Sequence, residues 1–315
     1  NQREFFNNCI SLKSYQKKLI DIPWQTPVIT EKTVYKQNKK NPLYIGMPWA
    51  TIIDKNLITH YEKKIRKLIK VNNINTKLNY ITSCQHIHFR KLKKILSIMG
   101  IKTLYTSHKI KNENNLGNIS LKPMMLYPVN IEDPSKNLYF KNKDFLNNDR
   151  KYLFSFIGAY QKNYLTDIRL QIFKYFSNNK NYYIKNTGEW HFNKNVYNKQ
   201  IYNQKLNKKD IDNENKRTEL YNKILINSRY SLCPSGSGPN SIRFWESLAV
   251  GSIPILLSDK LELPKHNLWK KAIIFVPECN ISKIPSLLNN INLVEEYKMR
   301  KNCLKIYKDF KNKYI

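Results

Sequence analysis

The residues best equipped for chemistry lie close together, between Cys233 and Asp259. Cys233-Pro234-Ser235-Gly236-Ser237-Gly238-Pro239 packs two glycines, two prolines and two hydroxyls into a segment that can only be a loop. Arg243 and Glu246 follow three residues apart, which puts them on one face of a helix. A loop of this composition opening a helix brings backbone N–H groups and hydroxyls to the positive end of the helix dipole, where an anion is favoured. Gly236 and Gly238 allow close backbone approach, and a guanidinium beside the anion suits a pyrophosphate. A carboxylate about one turn further on can accept from the two hydroxyls of a ribose. The stretch reads as a sugar-nucleotide site, and the same spacing also fits a plain strand-to-helix turn with a surface Arg–Glu pair.

Elements on either side must position this loop. Tyr230 to Cys233 is a short apolar run, suited to a buried strand. Asn240 to Ala249 has helical spacing, with Ile242, Trp245, Leu248 and Ala249 on one apolar stripe, and Gly251 is a suitable stop. Ser252 to Leu257 is a second buried strand, closed by Ser258-Asp259. Strand, loop, helix and strand make a βαβ half of an open α/β sheet.

The stretch resembles the signature of the exostosin family, glycosyltransferase family 47. Cys233-Pro234-Ser235-Gly236, Arg243, Glu246, Gly251, Pro254, Ser258-Asp259 and Pro264 carry the likeness in order. Upstream, Arg150 to Gly158 followed by Ile168-Arg169 is similar to the strand, glycine and arginine that open the family's donor domain. The resemblance implies a bacterial or viral member of GT-B type: two Rossmann-like α/β domains facing an interdomain cleft. It implies inverting, metal-independent transfer from a nucleotide sugar, a UDP-sugar by expectation, to a glycan acceptor in surface polysaccharide, lipopolysaccharide or viral glycan synthesis. Gly158, Arg169, Ser235, Gly236, Ser237, Arg243 and Glu246 are then the donor-nucleotide residues, and the nucleotide sugar is a co-substrate, with no cofactor and no metal expected. Asp210-Ile211-Asp212 matches an Asp-x-Asp metal pattern, but it sits in a Lys/Asn-rich segment with no strand before it.

The base that deprotonates the acceptor belongs, on the same implied architecture, to the first domain at the carboxyl ends of its strands. Asp54, His86, His88 and His108 each follow a predicted strand, and histidine has a suitable ordinary pKa. Each also fits a hydrogen-bonded residue shaping a loop. Glu189-Trp190-His191 either stacks on a sugar or anchors an insertion, and the second is preferred.

Along the chain, residues 1–47 read as an irregular N-terminal extension on the first domain. Residues 48–132 form an acceptor-side α/β domain with strands at Trp49–Ile53, Leu78–Ser83, Lys102–Thr106 and Met124–Val129, and helices at Tyr61–Val71 and Phe89–Met99. Residues 133–150 are a linker, 151–294 the nucleotide-sugar domain, and 295–315 a helix returning to the first domain. Within the second domain, helices are expected at Ile168–Phe176 and Glu219–Ser228, with a solvated insertion over 177–216 carrying one strand at Tyr182–Lys185.

At 315 residues the chain can bury two cores, and 41% hydrophobic content excludes a disordered protein. The net charge of +32, from 55 Lys+Arg against 23 Asp+Glu, favours polyanions, including peripheral contact with an anionic membrane. An AT-rich genome yields the same Lys, Asn, Ile and Tyr bias, and no specific nucleic acid is expected. The alternative reading is a non-catalytic basic glycan- or nucleic-acid-binding protein on the same fold. Cys9, Cys84, Cys233, Cys279 and Cys303 show neither metal-ligand nor disulfide spacing, which with the absence of an apolar span suggests a cytoplasmic setting, at most peripheral on the inner membrane face.

Overall fold

A computed structural model describes residues 10–190 and 192–315. The chain forms two compact units. One holds the described residues to Met125 with Glu262–Pro264 and Tyr314–Ile315; the other holds Leu126–Leu261 and Lys265–Lys313.

The first unit contains helices α1 (Thr30–Gln37), α2 (Trp49–Asp54), α3 (Ile58–Val71) and α4 (Lys93–Ile98). Its strands are β1 (Tyr80–Cys84), β2 (Ile101–Thr106), β3 (Asn115–Leu116) and β4 (Ile119–Pro123), ordered β1-β2-β4-β3. β1, β2 and β4 run parallel, and β3 is an antiparallel edge. The core joins Trp49, Ile52, Tyr80, Leu104 and Leu121 to Leu12, Leu19 and Ile45, so the N-terminal stretch supplies core residues of this unit.

The stretch expected to be irregular carries the helix α1, and two further sequence expectations fail here. Trp49–Ile53 is helix, not strand, because its first turn is held by tertiary contacts: Glu31 accepts from the Ala50 N–H, and the Trp49 indole donates to Thr82. Those contacts outweigh the β-preference of Thr51, Ile52 and Ile53. Asp54 therefore ends a helix and does not follow a strand. The fourth strand is Ile119–Pro123, not Met124–Val129. Ile119 and Leu121 bury alternate positions, whereas the next apolar residues are buried in irregular chain ahead of Pro128, which has no N–H for a ladder.

The second unit is built on a five-stranded, all-parallel sheet: β5 (Tyr152–Gly158), β6 (Tyr182–Asn186), β7 (Ser228–Pro234), β8 (Ile253–Leu257) and β9 (Ile274–Phe275), ordered β6-β5-β7-β8-β9. Helices α5 (Ile168–Phe176), α6 (Lys208–Ile226), α7 (Ile242–Ala249) and α8 (Leu293–Tyr314) complete it. β7 and β8 are buried almost throughout, as strands covered on both faces must be. α7 is buried beyond the expected stripe, since Phe244, Glu246 and Ser247 are enclosed as well. Trp245 packs among Phe244, Trp269 and Phe310. Gly251 takes φ +64° after α7, where a side chain would also meet Arg300.

α6 starts at Lys208, well before the expected Glu219, because Asn207 caps it by accepting from the Asp210 N–H at 2.8 Å. Asp210 sits in that first turn and pairs with Lys194 at 2.6 Å, so it serves the helix terminus. Both units are mixed α/β with mainly parallel sheets, consistent with a GT-B-like fold. Among the described residues no helix is long and apolar enough to cross a membrane.

Candidate active site

The carboxyl edge of the second unit's sheet gathers the chemistry, because every parallel strand ends there. Gly158 and Ala159 end β5, Ser235 and Gly236 follow β7, Ser258 and Asp259 follow β8, and Glu278 lies just past β9. Ligands of open α/β sheets bind at this edge.

The loop after β7 is fixed at successive points. The Ser235 N–H donates to Leu257 O, and the Gly236 N–H to Gly238 O, both at 2.9 Å. The Leu165 N–H donates to Gly236 O, the Ser258 hydroxyl to Pro239 O, and the Trp245 indole to Asn240. Two of the amides expected to be free for an anion are therefore spent, one on the end of β8 and one within the loop. Ser237, at its tip, is exposed, whereas Cys233 is buried and its thiol is pushed up to about 11 by burial.

Two guanidiniums take over the electrostatic role. Arg169, in α5, donates to Ser235 O at 2.8 Å and to Ala159 O at 3.0 Å, bridging the ends of β7 and β5. Arg243, in α7, donates to Ile157 O and lies over the rings of Phe156 and Tyr221. Among the described residues neither forms an ion pair with a carboxylate. Burial pushes Arg169 down to about 10, and the nearby Arg243 charge adds to the push. Two half-buried cations on fixed carbonyls, neither in an ion pair among the described residues, are an arrangement that suits an anion.

Gly236 is needed for this arrangement, since a Cβ there would lie 2.7 Å from Arg169 Nη2. Gly236→Ala is expected to displace that guanidinium and weaken nucleotide binding about tenfold while the fold persists. Titration calorimetry beside a circular-dichroism melt checks it; unchanged affinity would show that Arg169 is not part of the site.

Glu246 is 1% exposed. Its carboxylate accepts from the Asn130 N–H at 2.9 Å and the Tyr221 hydroxyl at 2.6 Å, and burial raises its pKa. The carboxylate expected at a ribose thus has both oxygens engaged by the protein.

On the other side of Ser235 lies a carboxylate that sequence spacing did not single out. Glu278 accepts from the Ser235 hydroxyl at 3.2 Å and from Thr166, and its N–H donates to Asp259. Its distance along the chain hid it; its place just past a strand end was the available signal.

In the first unit His86 Nε2 meets Asp54 Oδ1 at 3.0 Å, and His86 Nδ1 accepts from the His88 N–H at 3.0 Å. Nδ1 is therefore the unprotonated nitrogen, and Nε2–H donates to Asp54. Gln25 occupies the other Asp54 oxygen at 2.6 Å. His86 and Asp54 are brought together, with the His86 lone pair in use and one hydrogen bond on each Asp54 oxygen. His108 is buried, its Nδ1 lacks a partner among the described atoms, and burial pushes it down to about 3. His88 is the exposed member, with its ring centroid 5.3 Å from that of His86, and burial and its neighbours' charges lower its pKa. Beneath them, Glu31 is wholly buried, accepts from the Ala50 and Gln85 N–H groups, and is raised to about 8 by desolvation. His191 lies outside the described residues. Among the described residues no group of three or more His, Cys, Asp or Glu side chains is placed to hold a metal ion.

Comparison with known proteins identifies the family. A family profile described as the exostosin GT47 domain matches residues 98–291, which include the whole carboxyl edge. The chain is 30% identical over 186 residues to the exostosin-1 homolog of Caenorhabditis elegans, covering 58% of this chain and 45% of that protein. It is 36% identical over 87 residues to exostosin-1 of Drosophila melanogaster, covering 27% and 11%. It is 34% identical over 86 residues to exostosin-1c of Danio rerio, covering 27% and 12%. The chain thus spans less than half the length of these relatives.

Proposed function

The chain belongs to the exostosin GT47 family, and on that footing we propose that it is a glycosyltransferase using a nucleotide-sugar donor and a glycan acceptor. The observation that carries the reading is the pair of guanidiniums, Arg169 and Arg243, held on backbone carbonyls at the strand ends and, among the described residues, in no ion pair with a carboxylate. In the reaction the bond from the sugar's anomeric carbon to the diphosphate oxygen breaks and a bond from that carbon to the acceptor oxygen forms. The nucleotide diphosphate leaves with the electron pair, and its growing charge is what two fixed cations stabilise. Ser235, Gly236 and Ser237 line the same loop, with Gly158 at the neighbouring strand end. Inversion at the anomeric carbon, a UDP-linked donor and independence of metal belong to this proposal. So does action on surface polysaccharide or viral glycan, in a cytoplasmic setting.

The acceptor proton goes to a base. Of the sequence candidates in the first unit, His86 has its lone pair engaged, Asp54 accepts from both His86 and Gln25, and His108, pushed down to about 3 by burial, is too weak a base; we assign the role to His88, whose backbone N–H donates to His86. His88→Ala is expected to lower kcat about 100-fold with KM for the donor unchanged, and to remove the acidic limb of the rate profile. An equal loss in His86→Ala with none in His88→Ala would reverse the assignment.

Nucleotide binding tests the whole reading. Calorimetry with UDP, GDP, CMP and ADP, with and without EDTA, should find one diphosphate that binds in either condition. At 100 times its Kd it should stabilise the fold by about 2.7 kcal/mol. Binding of an anionic glycan or nucleic acid, and of no nucleotide, would replace the enzyme by a basic binding protein.

A further inference from the structure

The carboxyl edge of the second unit is polar in a definite order. Along the sheet sequence β5-β7-β8-β9, Arg169 and Arg243 engage carbonyls at the ends of β5 and β7, whereas Asp259 and Glu278 follow β8 and β9. Ser235 stands at the junction: its carbonyl holds Arg169 and its hydroxyl donates to Glu278. A ligand whose anionic part lies on the guanidiniums therefore has a carboxylate across Ser235, toward the β8 and β9 ends of the sheet.

That carboxylate is built into place. The Glu278 side chain accepts from Ser235 and Thr166, and the Glu278 N–H donates to both oxygens of Asp259, at 3.2 and 3.4 Å. Thr166 and Ser235 are themselves 3.2 Å apart, closing a small ring of hydroxyls around the acid. Glu278 is half-buried and Asp259 exposed, so the pair faces outward, unlike Glu246. A carboxylate offers about four acceptor positions, and the two hydroxyls leave capacity for a ligand. A carboxylate repels a phosphate, so its complement is the part of the ligand that carries hydroxyl donors.

We propose that Glu278, seated against Asp259, accepts hydrogen bonds from hydroxyls of the transferred sugar. The assignment rests on the donor-site reading above. It gives the donor one orientation: diphosphate over the ends of β5 and β7, sugar toward β8 and β9. The nucleoside then extends from the Arg243 side. Glu278 is a specificity residue in this scheme, and Asp259 positions it.

Calorimetry with wild type, Glu278→Gln and Asp259→Asn tests it, using UDP, 2′-deoxy-UDP and a panel of UDP-hexoses. Gln keeps an oxygen for Ser235, and thermal melts verify the fold. The expected result is that Glu278→Gln weakens the tightest UDP-hexose about tenfold and leaves UDP unchanged, with a smaller loss in Asp259→Asn. Equal loss for UDP and UDP-hexose, with 2′-deoxy-UDP weak on the wild type, would place the carboxylate at the ribose and overturn the assignment to the sugar. Unchanged UDP-hexose binding in Glu278→Gln would overturn it outright and leave the donor site standing. No nucleotide binding to the wild type would remove the donor site and this assignment together.

Discussion

Replacing Arg243 or Arg169 by alanine is expected to weaken nucleotide diphosphate binding by about 10- to 100-fold each, the range for a lost hydrogen bond to a charged group. Each guanidinium is anchored on carbonyls and makes no ion pair among the described residues, although the Glu246 carboxylate feels the Arg243 charge. Arg169→Lys should fail almost as badly, because an ammonium cannot bridge Ser235 O and Ala159 O with the planar fork that a guanidinium supplies. The double variant should lose less than the product of the single losses, since the Arg243 charge acts on Arg169 and the two sites are not independent. Arg243 also covers Phe156 and Tyr221, so part of its effect will be on stability, and melts of the free variants separate the two. Wild-type affinity in both single variants, with the fold intact, would end the donor-site reading.

The second large effect concerns pH and stability. Glu31 has an ordinary carboxyl pKa of 4.5 in the unfolded chain and is raised to about 8 in the fold. Between these values the folded protein keeps a proton that the unfolded chain has released. Stability from this group therefore falls as pH climbs from about 4.5 to about 8 and is level beyond, a loss on the order of a few kcal/mol. His108 acts in the opposite sense. Pushed down from 6.5 to about 3, it makes stability fall as pH drops from about 6.5 toward 3. The two oppose each other between about pH 4.5 and 6.5, so the Glu31 slope stands clear between about 6.5 and 8. Urea midpoints should fall across that window in the wild type and fall less steeply in Glu31→Gln, where the raised Glu246 carboxyl keeps its own contribution. A wild type with equal midpoints at both ends would mean that Glu31 is ionised in the fold and held by its two N–H donors.

The central unit was legible because local signals agreed with the global fold. Strand, Pro-Ser-Gly loop, helix and Gly251 stop appear where the spacing put them, since β7 and β8 are buried on both faces and leave a continuous apolar run. Trp49–Ile53 misled because its β-branched residues are neutral evidence once Glu31 and Thr82 hold the first turn from far along the chain. Met124–Val129 misled because a buried apolar run need not be a strand when Pro128 follows.

The sequence by itself determined the family, the α/β class and the residue types of the anion site, because these depend on short-range order: which residues follow which strand. Only the tertiary structure decided how each side chain is used. It turned Glu246 inward to Asn130 and Tyr221, tied His86 to Asp54, and set Glu278 against a loop more than forty residues away. Hydrogen-bond partners and desolvation are set by packing between segments remote in sequence. A carboxylate's letter is therefore the same whether it binds a ligand, braces a helix or keeps a buried proton.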